Sequence, residues 1–261
     1  VTSQYLGARK EPEAKRSAGQ LVTMSAFCGL LIMALCLLFA RPIMDLFFGR
    51  IASDVMDAGL LYFHITALSF PFIALYNAGA AIFRSVGDSK ISMKVSVLMN
   101  VINVAGNAIC VYVLKLGVAG VAIPTLVSRA VAAAVMLYLV SRPKQQLCVR
   151  WADIRHVEGR MMGNILRIGV PSACENSIFE LGRVLVVSMI SIYGTSQTSA
   201  NAVANNLDAI GVIVGQAMSL AMITVVGQCV GAGDEAQTKY YTRRLMFDVY
   251  LIQGIGNLLL F

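Results

Sequence analysis

Charged residues are scarce in this sequence: they make up 13% of its 261 residues, whereas hydrophobic residues make up 57%. The surface of a soluble domain carries far more charge, so this composition excludes an ordinary globular protein. The six cysteines and two histidines are scattered, with no CxxC pair, and no GxxxxGK[ST] loop is present. These absences argue against a zinc site, a disulfide framework and a P-loop ATP site, and nothing in the sequence predicts an enzyme.

Long apolar runs, in contrast, are abundant. Each complete run reaches the roughly 20 residues that a membrane-spanning helix needs. The runs cover residues 21–40, 59–83, 95–114, 118–140, 165–193 and 199–226, and a last one from residue 245 is truncated at 261. The sequence therefore predicts an all-α, polytopic membrane protein, with six complete helices and one truncated helix.

The basic residues follow the membrane topology. Of the 21 Lys and Arg residues, 16 lie in alternate loops at 9–16, 84–94, 142–167 and 239–244, three lie in the opposite loops, and Arg129 and Arg183 lie within apolar runs. Cytoplasmic loops of membrane proteins carry such an excess of basic residues. We therefore expect the four basic loops to be cytoplasmic and the protein to span the plasma (inner) membrane several times. The net charge of +7 is explained by these loops, so we expect the lipid bilayer as a partner and no nucleic acid.

An internal repeat is visible at the two ends of the chain. Val1–Lys15 resembles Val225–Lys239 at a constant offset of 224 residues, with Val, Gln, Gly, Ala, Glu and Lys recurring. The repeat predicts two homologous halves in parallel orientation. On this interpretation residues 1–141 are part of the N-terminal lobe, from the end of its second helix to its sixth helix. Residues 142–164 are a basic cytoplasmic linker. Residues 165–261 are the start of the C-terminal lobe, with the seventh helix, the eighth helix and part of the ninth helix.

Several sequence blocks resemble one transporter family. The blocks are FRSVGDSK from Phe83, NVINVAGN from Asn100, LGVAGVAIPTLVSR from Leu116, IGVPSACEN from Ile168 and GQCVGAGDEAQTK from Gly227. They look like the multidrug and toxic compound extrusion family, MATE. The resemblance implies a twelve-helix, two-lobe (6+6) secondary transporter, of which this chain is the middle. It also implies export of amphiphilic, often cationic drugs in exchange for protons or sodium; the alternative, from the same superfamily, is a flippase for a lipid-linked precursor.

Beyond its first turn, the run from Ile165 carries three charges that are costly inside a membrane: Glu175, Glu180 and Arg183. Ionisable groups inside a membrane normally line a substrate or ion pathway, take part in a proton relay or pair with another charged group. Glu180 and Arg183 are three residues apart on a helix, which favours a local ion pair, although Glu180 is also a candidate for substrate binding. Glu175 has no basic residue one turn away and is the stronger candidate for ion coupling, with interhelical hydrogen bonding as the alternative. Pro71, Pro124 and Pro171 are each predicted to interrupt a helix, and Pro171, one turn before Glu175, is predicted to be a hinge.

Polar stripes occur on two further runs. Asn201, Asn205 and Asp208 share one helix face, which suits either a proton or sodium site or a hydrogen-bonded packing seam. We expect no metal beyond a sodium ion at Glu175 or Asp208, and no cofactor beyond the coupling ion, H⁺ or Na⁺.

Three asparagines form the stripe in the first half: Asn100, Asn103 and Asn107. They are candidates for lining the cavity and, equally, for linking helices by hydrogen bonds. We further expect the protein to bind a small amphiphilic or cationic substrate and to be a monomer. A flippase would show basic residues in its central cavity to hold a phosphate, whereas the groups at mid-depth here are mainly acids and amides. That difference favours the antiporter.

Overall fold

Helices account for all the regular structure within the residues that the computed structural model describes, which are 1–48, 53–142, 147–149, 159–191 and 195–260. This agrees with the predicted all-α class, because a helix satisfies its own backbone hydrogen bonds in lipid. The helices are α1 (Thr2–Gly7), α2 (Glu11–Leu38), α3 (Ala40–Phe48), α4 (Ser53–Ala67), α5 (Phe70–Ser85), α6 (Ser89–Ala108) continued by a π-helical turn (Ile109–Val113), α7 (Ala119–Val140), α8 (Gly159–Ser191), α9 (Thr195–Ala232) and α10 (Glu235–Leu260).

Five stretches of the described residues are long and apolar enough to cross a membrane, one fewer than the six complete spans predicted. They are Glu11–Leu38, Asp54–Ser85, Ser89–Val113, Ala119–Val140 and Gly211–Ala232. The difference comes from α8, which is long enough at 33 residues but carries Arg167, Glu175, Glu180 and Arg183. These charges lower its mean hydropathy below that of the other spans.

The apolar run 59–83 is divided into two helices, α4 and α5, where one helix was predicted. Pro71 stands in the first turn of α5 and has no N–H, so it cannot bond to the carbonyl of Ala67. Instead the backbone turns at Leu68 and Ser69, where the Ser69 N–H donates to Thr66 O at 2.9 Å. Pro71 therefore interrupts its helix as predicted.

The other two prolines do not break their helices. Pro124 lies inside α7 and Pro171 lies inside α8, and both helices are continuous through these residues. The prediction that all three prolines interrupt helices is therefore wrong for these two. Neighbouring helices and small local adjustments can accommodate a proline in a membrane helix, which explains the difference.

The start of α8 also differs from the expectation. The helix begins at Gly159, six residues before the predicted start at Ile165, so the last part of the predicted linker is helical. Residues 143–146 and 150–158 of that linker lie outside the described residues. Between them Leu147 and Val149 are each 2% exposed, and the Val149 N–H donates to Val140 O at 3.3 Å. This part of the linker is packed against the end of α7.

The chain divides into two compact units. The first unit is Glu11–Glu158 with Thr2; the second unit is Ser3–Lys10 and Gly159–Phe261 with Val1. Within the first unit the closest packing joins α2 to α5, α5 to α7 and α6 to α7. Small residues permit it: a Cβ on Gly79 would overlap Met136, and a Cβ on Gly106 would lie 2.7 Å from Pro124 Cβ. Such close approach is typical of membrane helices, whose association depends on packing contacts.

One turn occurs twice, at the positions that the repeat makes equivalent. After α1, the Arg9 N–H donates to Leu6 O at 3.0 Å; after α9, the Gly233 N–H donates to Val230 O at 3.1 Å. Both residues have positive φ, 57° for Arg9 and 73° for Gly233. The bond from the Lys10 N–H to Tyr5 O likewise has its equivalent in the bond from the Asp234 N–H to Cys229 O. The two segments therefore end in the same turn, and the homology of the two halves stays a prediction.

Candidate functional site

Glu175 is the central residue of α8, sixteen residues from Gly159 and sixteen from Ser191. At about 1.5 Å per residue this places it about 24 Å from either end, so the revised helix start leaves it at the midpoint of the helix. Its side chain is exposed. Within the described part of the chain it forms no hydrogen bond or ion pair, whereas its neighbour Asn176 donates from Nδ2 to Ser172 O at 2.8 Å. Glu175 is thus a single acid with its carboxylate available.

The predicted pair of Glu180 and Arg183 is confirmed. Arg183 Nη1 lies 3.5 Å from Glu180 Oε1, one turn away on the same face of α8. The side chains are 53% exposed for Arg183 and 67% for Glu180, so the pair lies on the surface of the second unit. Pairing offsets part of the cost of placing each charge in the membrane. The two acids of α8 therefore stand in different environments.

The predicted stripe on α9 remains a set of separate side chains. Asn201 and Asn205 are half-buried and Asp208 is exposed. In the part of α9 that the structure describes, none of the three side chains hydrogen-bonds, and Asp208 is not paired with Glu175. Among the described residues, no three His, Cys, Asp or Glu side chains converge as metal ligands. A sodium ion at Glu175 or Asp208 would therefore need amide, hydroxyl or backbone oxygens as well, which is ordinary for this cation.

The asparagines of α6 belong partly to a helix contact. Asn103 Nδ2 donates to Thr125 Oγ1 of α7 at 3.1 Å, and Asn107 Nδ2 donates to Asn103 Oδ1 at 3.2 Å. The Oδ1 atom of Asn107 is buried with no partner among the described residues. Asn100 is exposed and stands outside this chain of bonds. The interhelical alternative therefore fits Asn103, while Asn107 supports it by a bond within α6.

Arg129 has a partner that the sequence did not reveal. It lies ten residues from the start of α7 and eleven from its end, and its Nη1 donates to Ser69 Oγ at 2.6 Å. Ser69 is fully buried at the break between α4 and α5, and its hydroxyl donates to Thr66 O at 2.6 Å. No carboxylate among the described residues lies within ion-pair distance of Arg129. The guanidinium holds the helix break and does not stand free in a central cavity.

A second polar contact escaped the sequence analysis. Gln253 of α10 donates from Nε2 to Gly211 O of α9, and its Oε1 is buried with no partner among the described residues. The available signal was an amide side chain within the apolar run from residue 245, which holds Gln253 and Asn257. A cavity of about 370 Å³ also lies in the second unit, lined partly by Tyr5, Lys10, Asn164 and Arg167. None of the predicted site residues lines it.

Comparison with known proteins identifies relatives over nearly the whole chain. The MatE family model matches residues 1–109 and 171–261. The chain is 29% identical over 260 residues to the uncharacterized transporter YisQ of Bacillus subtilis, covering 98% of this chain and 56% of that protein. It is 22% identical to the probable multidrug resistance protein NorM of Thermotoga maritima, covering 88% of this chain and 50% of that one.

Solved structures show the same fold. The chain superposes with a TM-score of 0.85 on an outward-facing multidrug resistance MATE family transporter of the MOP superfamily, at 20% identity, covering 97% of this chain and 56% of that one. A MOP superfamily transporter from Pyrococcus furiosus gives a TM-score of 0.84 at 22% identity, with 97% and 56% coverage. The chain thus spans about half the length of the proteins it matches.

Proposed function

The chain belongs to the MatE family of membrane transporters, and from that premise we propose that this protein exports amphiphilic, often cationic compounds in exchange for protons or sodium ions. The names of relatives such as the probable multidrug resistance protein NorM support this substrate class. We also propose that it acts as a monomer in the plasma (inner) membrane, with no cofactor beyond the coupling ion.

The position of Glu175 carries the proposal. A carboxylate can bind either an ion or a cationic substrate, and a site that alternates between the two is what an antiporter requires. Glu175 lies at the centre of α8 without a partner in the described chain, whereas Glu180 on the same helix is paired with Arg183. Glu175 is therefore assigned to coupling and Glu180 to stabilising Arg183.

The test uses the full-length protein in proteoliposomes. A fluorescent organic cation is loaded, and its export is measured separately under a proton gradient and under a sodium gradient. Wild-type export should respond to one of the two gradients. Glu175→Gln should abolish that response, because the amide keeps the volume and much of the hydrogen bonding of the carboxyl group but cannot exchange a proton.

Glu180→Gln is the matched control, since it makes the same chemical change five residues away on the same helix. It should retain gradient-driven export per folded molecule. Export that survives Glu175→Gln but disappears in well-folded Glu180→Gln would reverse the two assignments. If the reconstituted wild-type protein moves a lipid-linked substrate and exports no drug, the flippase activity replaces the proposal.

A further inference from the structure

The cavity of about 370 Å³ in the second unit has a basic lining. Its two charged side chains are those of Lys10, which follows α1, and Arg167, which lies eight residues into α8. The phenol of Tyr5 and the amides of Gln4 and Asn164 add uncharged polar groups. No acidic residue of the described chain lines the cavity, so its two positive charges are not balanced by its own walls.

The charges of the lining are also unpaired elsewhere. In the part of the chain that the structure describes, neither Lys10 nor Arg167 forms an ion pair, whereas Arg183, Lys239 and Arg244 each have a carboxylate within 4 Å on their own helix. Two uncompensated positive charges attract an anion and repel a cation. The cavity is therefore unsuited to the cationic substrates proposed above, and its ligand must be an anion.

The donors of the cavity suit a phosphate group. An arginine can direct two parallel N–H bonds at phosphate oxygens, and a lysine adds a compact charge with three donors. The hydroxyl of Tyr5 and the amide of Asn164 supply neutral donors beside them. A volume of about 370 Å³ is near the lower end of the range for small-molecule sites, which is about 300–1,000 Å³. It accommodates a lipid headgroup and leaves the acyl chains outside.

The position of the cavity favours a lipid as the source of that phosphate. Lys10 and Arg167 belong to the loops at 9–16 and 142–167, which the distribution of basic residues predicts to be cytoplasmic. Arg167 lies about 12 Å along α8 from its start, and the long side chain of an arginine at such a depth extends to the headgroup layer. Basic pockets on this side of membrane proteins bind anionic headgroups, because the cytoplasmic leaflet is negatively charged.

We propose that this cavity binds the phosphate group of an anionic phospholipid at the cytoplasmic membrane surface, with Lys10 and Arg167 as the charged ligands and Asn164 as a neutral donor. The site is separate from Glu175, which lies eight residues further along α8 and does not line the cavity. The inference does not rest on the proposed export function.

The first test measures binding to the full-length protein in an uncharged detergent by isothermal titration. The three probes are dioctanoyl phosphatidylglycerol, dioctanoyl phosphatidylcholine and inorganic phosphate. The phosphatidylglycerol should bind and the phosphatidylcholine should not. The double variant Lys10→Gln with Arg167→Gln should bind phosphatidylglycerol at least about tenfold more weakly, because it loses the charged donors to the phosphate.

The matched control is the double variant Lys90→Gln with Arg243→Gln. It removes the same two residue types and the same net charge from exposed positions in other basic loops, and neither residue lines the cavity. It should retain the wild-type affinity for phosphatidylglycerol. An equal loss of affinity in both double variants would show general attraction to a basic surface and would overturn the site.

The second test locates the bound lipid without altering its charged ligands. In full-length protein from which the native cysteines have been removed, phosphatidylglycerol should slow maleimide labelling of Ala8→Cys, because Ala8 lines the cavity. Ala236→Cys is the control, since Ala236 is exposed in the first turn of α10 and outside the lining. Labelling of Ala8→Cys that is no slower with the lipid overturns the proposal, even where the double variant fails to fold.

The source of the phosphate is decided by the probes. Inorganic phosphate should bind more weakly than phosphatidylglycerol, because it gains nothing from the bilayer-facing part of the headgroup. Equal affinities, with equal protection of Ala8→Cys, would make free phosphate the ligand and overturn the lipid assignment. Because every readout is binding, a protein that takes up the lipid here but exports no compound would overturn the proposed function alone.

Discussion

The bond between Arg129 and Ser69 provides the sharpest test of how this bundle tolerates a charge at the centre of a span. Ser69→Ala removes the 2.6 Å acceptor of Arg129 Nη1 and also the hydroxyl that donates to Thr66 O. The serine is fully buried, so water does not replace the lost oxygen directly. The substitution leaves a guanidinium near mid-span without the partner that the structure gives it.

The magnitude follows from the charge. A hydrogen bond to a charged group contributes about 1.5–3 kcal/mol, and couplings measured between side chains inside membranes reach about 1.7 kcal/mol. We expect Ser69→Ala to lower the free energy of unfolding by about 2 kcal/mol. Arg129→Met should have little net effect, because it removes the bond together with a charge whose insertion costs about 2.5–3.5 kcal/mol. In that background Ser69→Ala should cost less than about 0.5 kcal/mol.

The assay is a double-mutant cycle on the full-length protein in bilayers, with the free energy of unfolding measured for wild type, both single variants and the double variant. Ser128→Ala is the control. Ser128 is 1% exposed and neighbours Arg129, but its hydroxyl donates only to Thr125 O, within its own helix, at 3.0 Å. That change should be near neutral. Additive effects of Ser69→Ala and Arg129→Met would refute the argument.

Three further predictions follow from local features. Glu180→Gln should lower the melting temperature of the full-length protein more than Glu175→Gln does, because it leaves Arg183 unpaired; equal melting temperatures would contradict this. Arg9 has a φ of 57°, a backbone conformation that favours glycine, so Arg9→Gly should raise the free energy of unfolding by about 1 kcal/mol. Arg9→Ala also removes the charge but keeps a Cβ, so it should not raise the free energy of unfolding. Gly79→Leu should prevent folding, because the leucine side chain would overlap Met136 of α7. The protein should then lose its monodisperse peak in size-exclusion chromatography; normal elution would show that the contact adapts.

Much of the fold follows from the sequence because membrane helices have a strong local signal. A run of about 20 apolar residues must satisfy its backbone internally, so length and composition predict a helix before any packing is known. The boundaries are less secure. The division at Leu68 and Ser69 has a local cause in Pro71, but Pro124 and Pro171 carry the same chemistry and leave their helices continuous. The sequence alone does not distinguish these cases, because neighbouring helices decide whether a freed carbonyl is accommodated.

Site prediction succeeded where the partners are neighbours on one helix. The pair of Glu180 and Arg183 was predictable because a spacing of three residues fixes the geometry. The bond from Asn103 to Thr125 was not, because it joins α6 to α7 across 22 residues of sequence. The stripe of asparagines identified one participant but gave no means of choosing between a cavity and a helix contact. The transport roles of Glu175, Asn201, Asn205 and Asp208 stay predictions.

The sequence by itself determined the helical membrane class and the repeat at 224 residues, since the first depends on composition and the second on comparison of the chain with itself. Only the tertiary structure decided which residues meet. It paired Arg129 with Ser69 over 60 positions and brought Gly7 and Gly231 against the backbone of the opposite repeat. The physical reason is that glycine and hydroxyl contacts are short-range and directional, so they depend on how helices cross, which no periodicity along a single helix encodes.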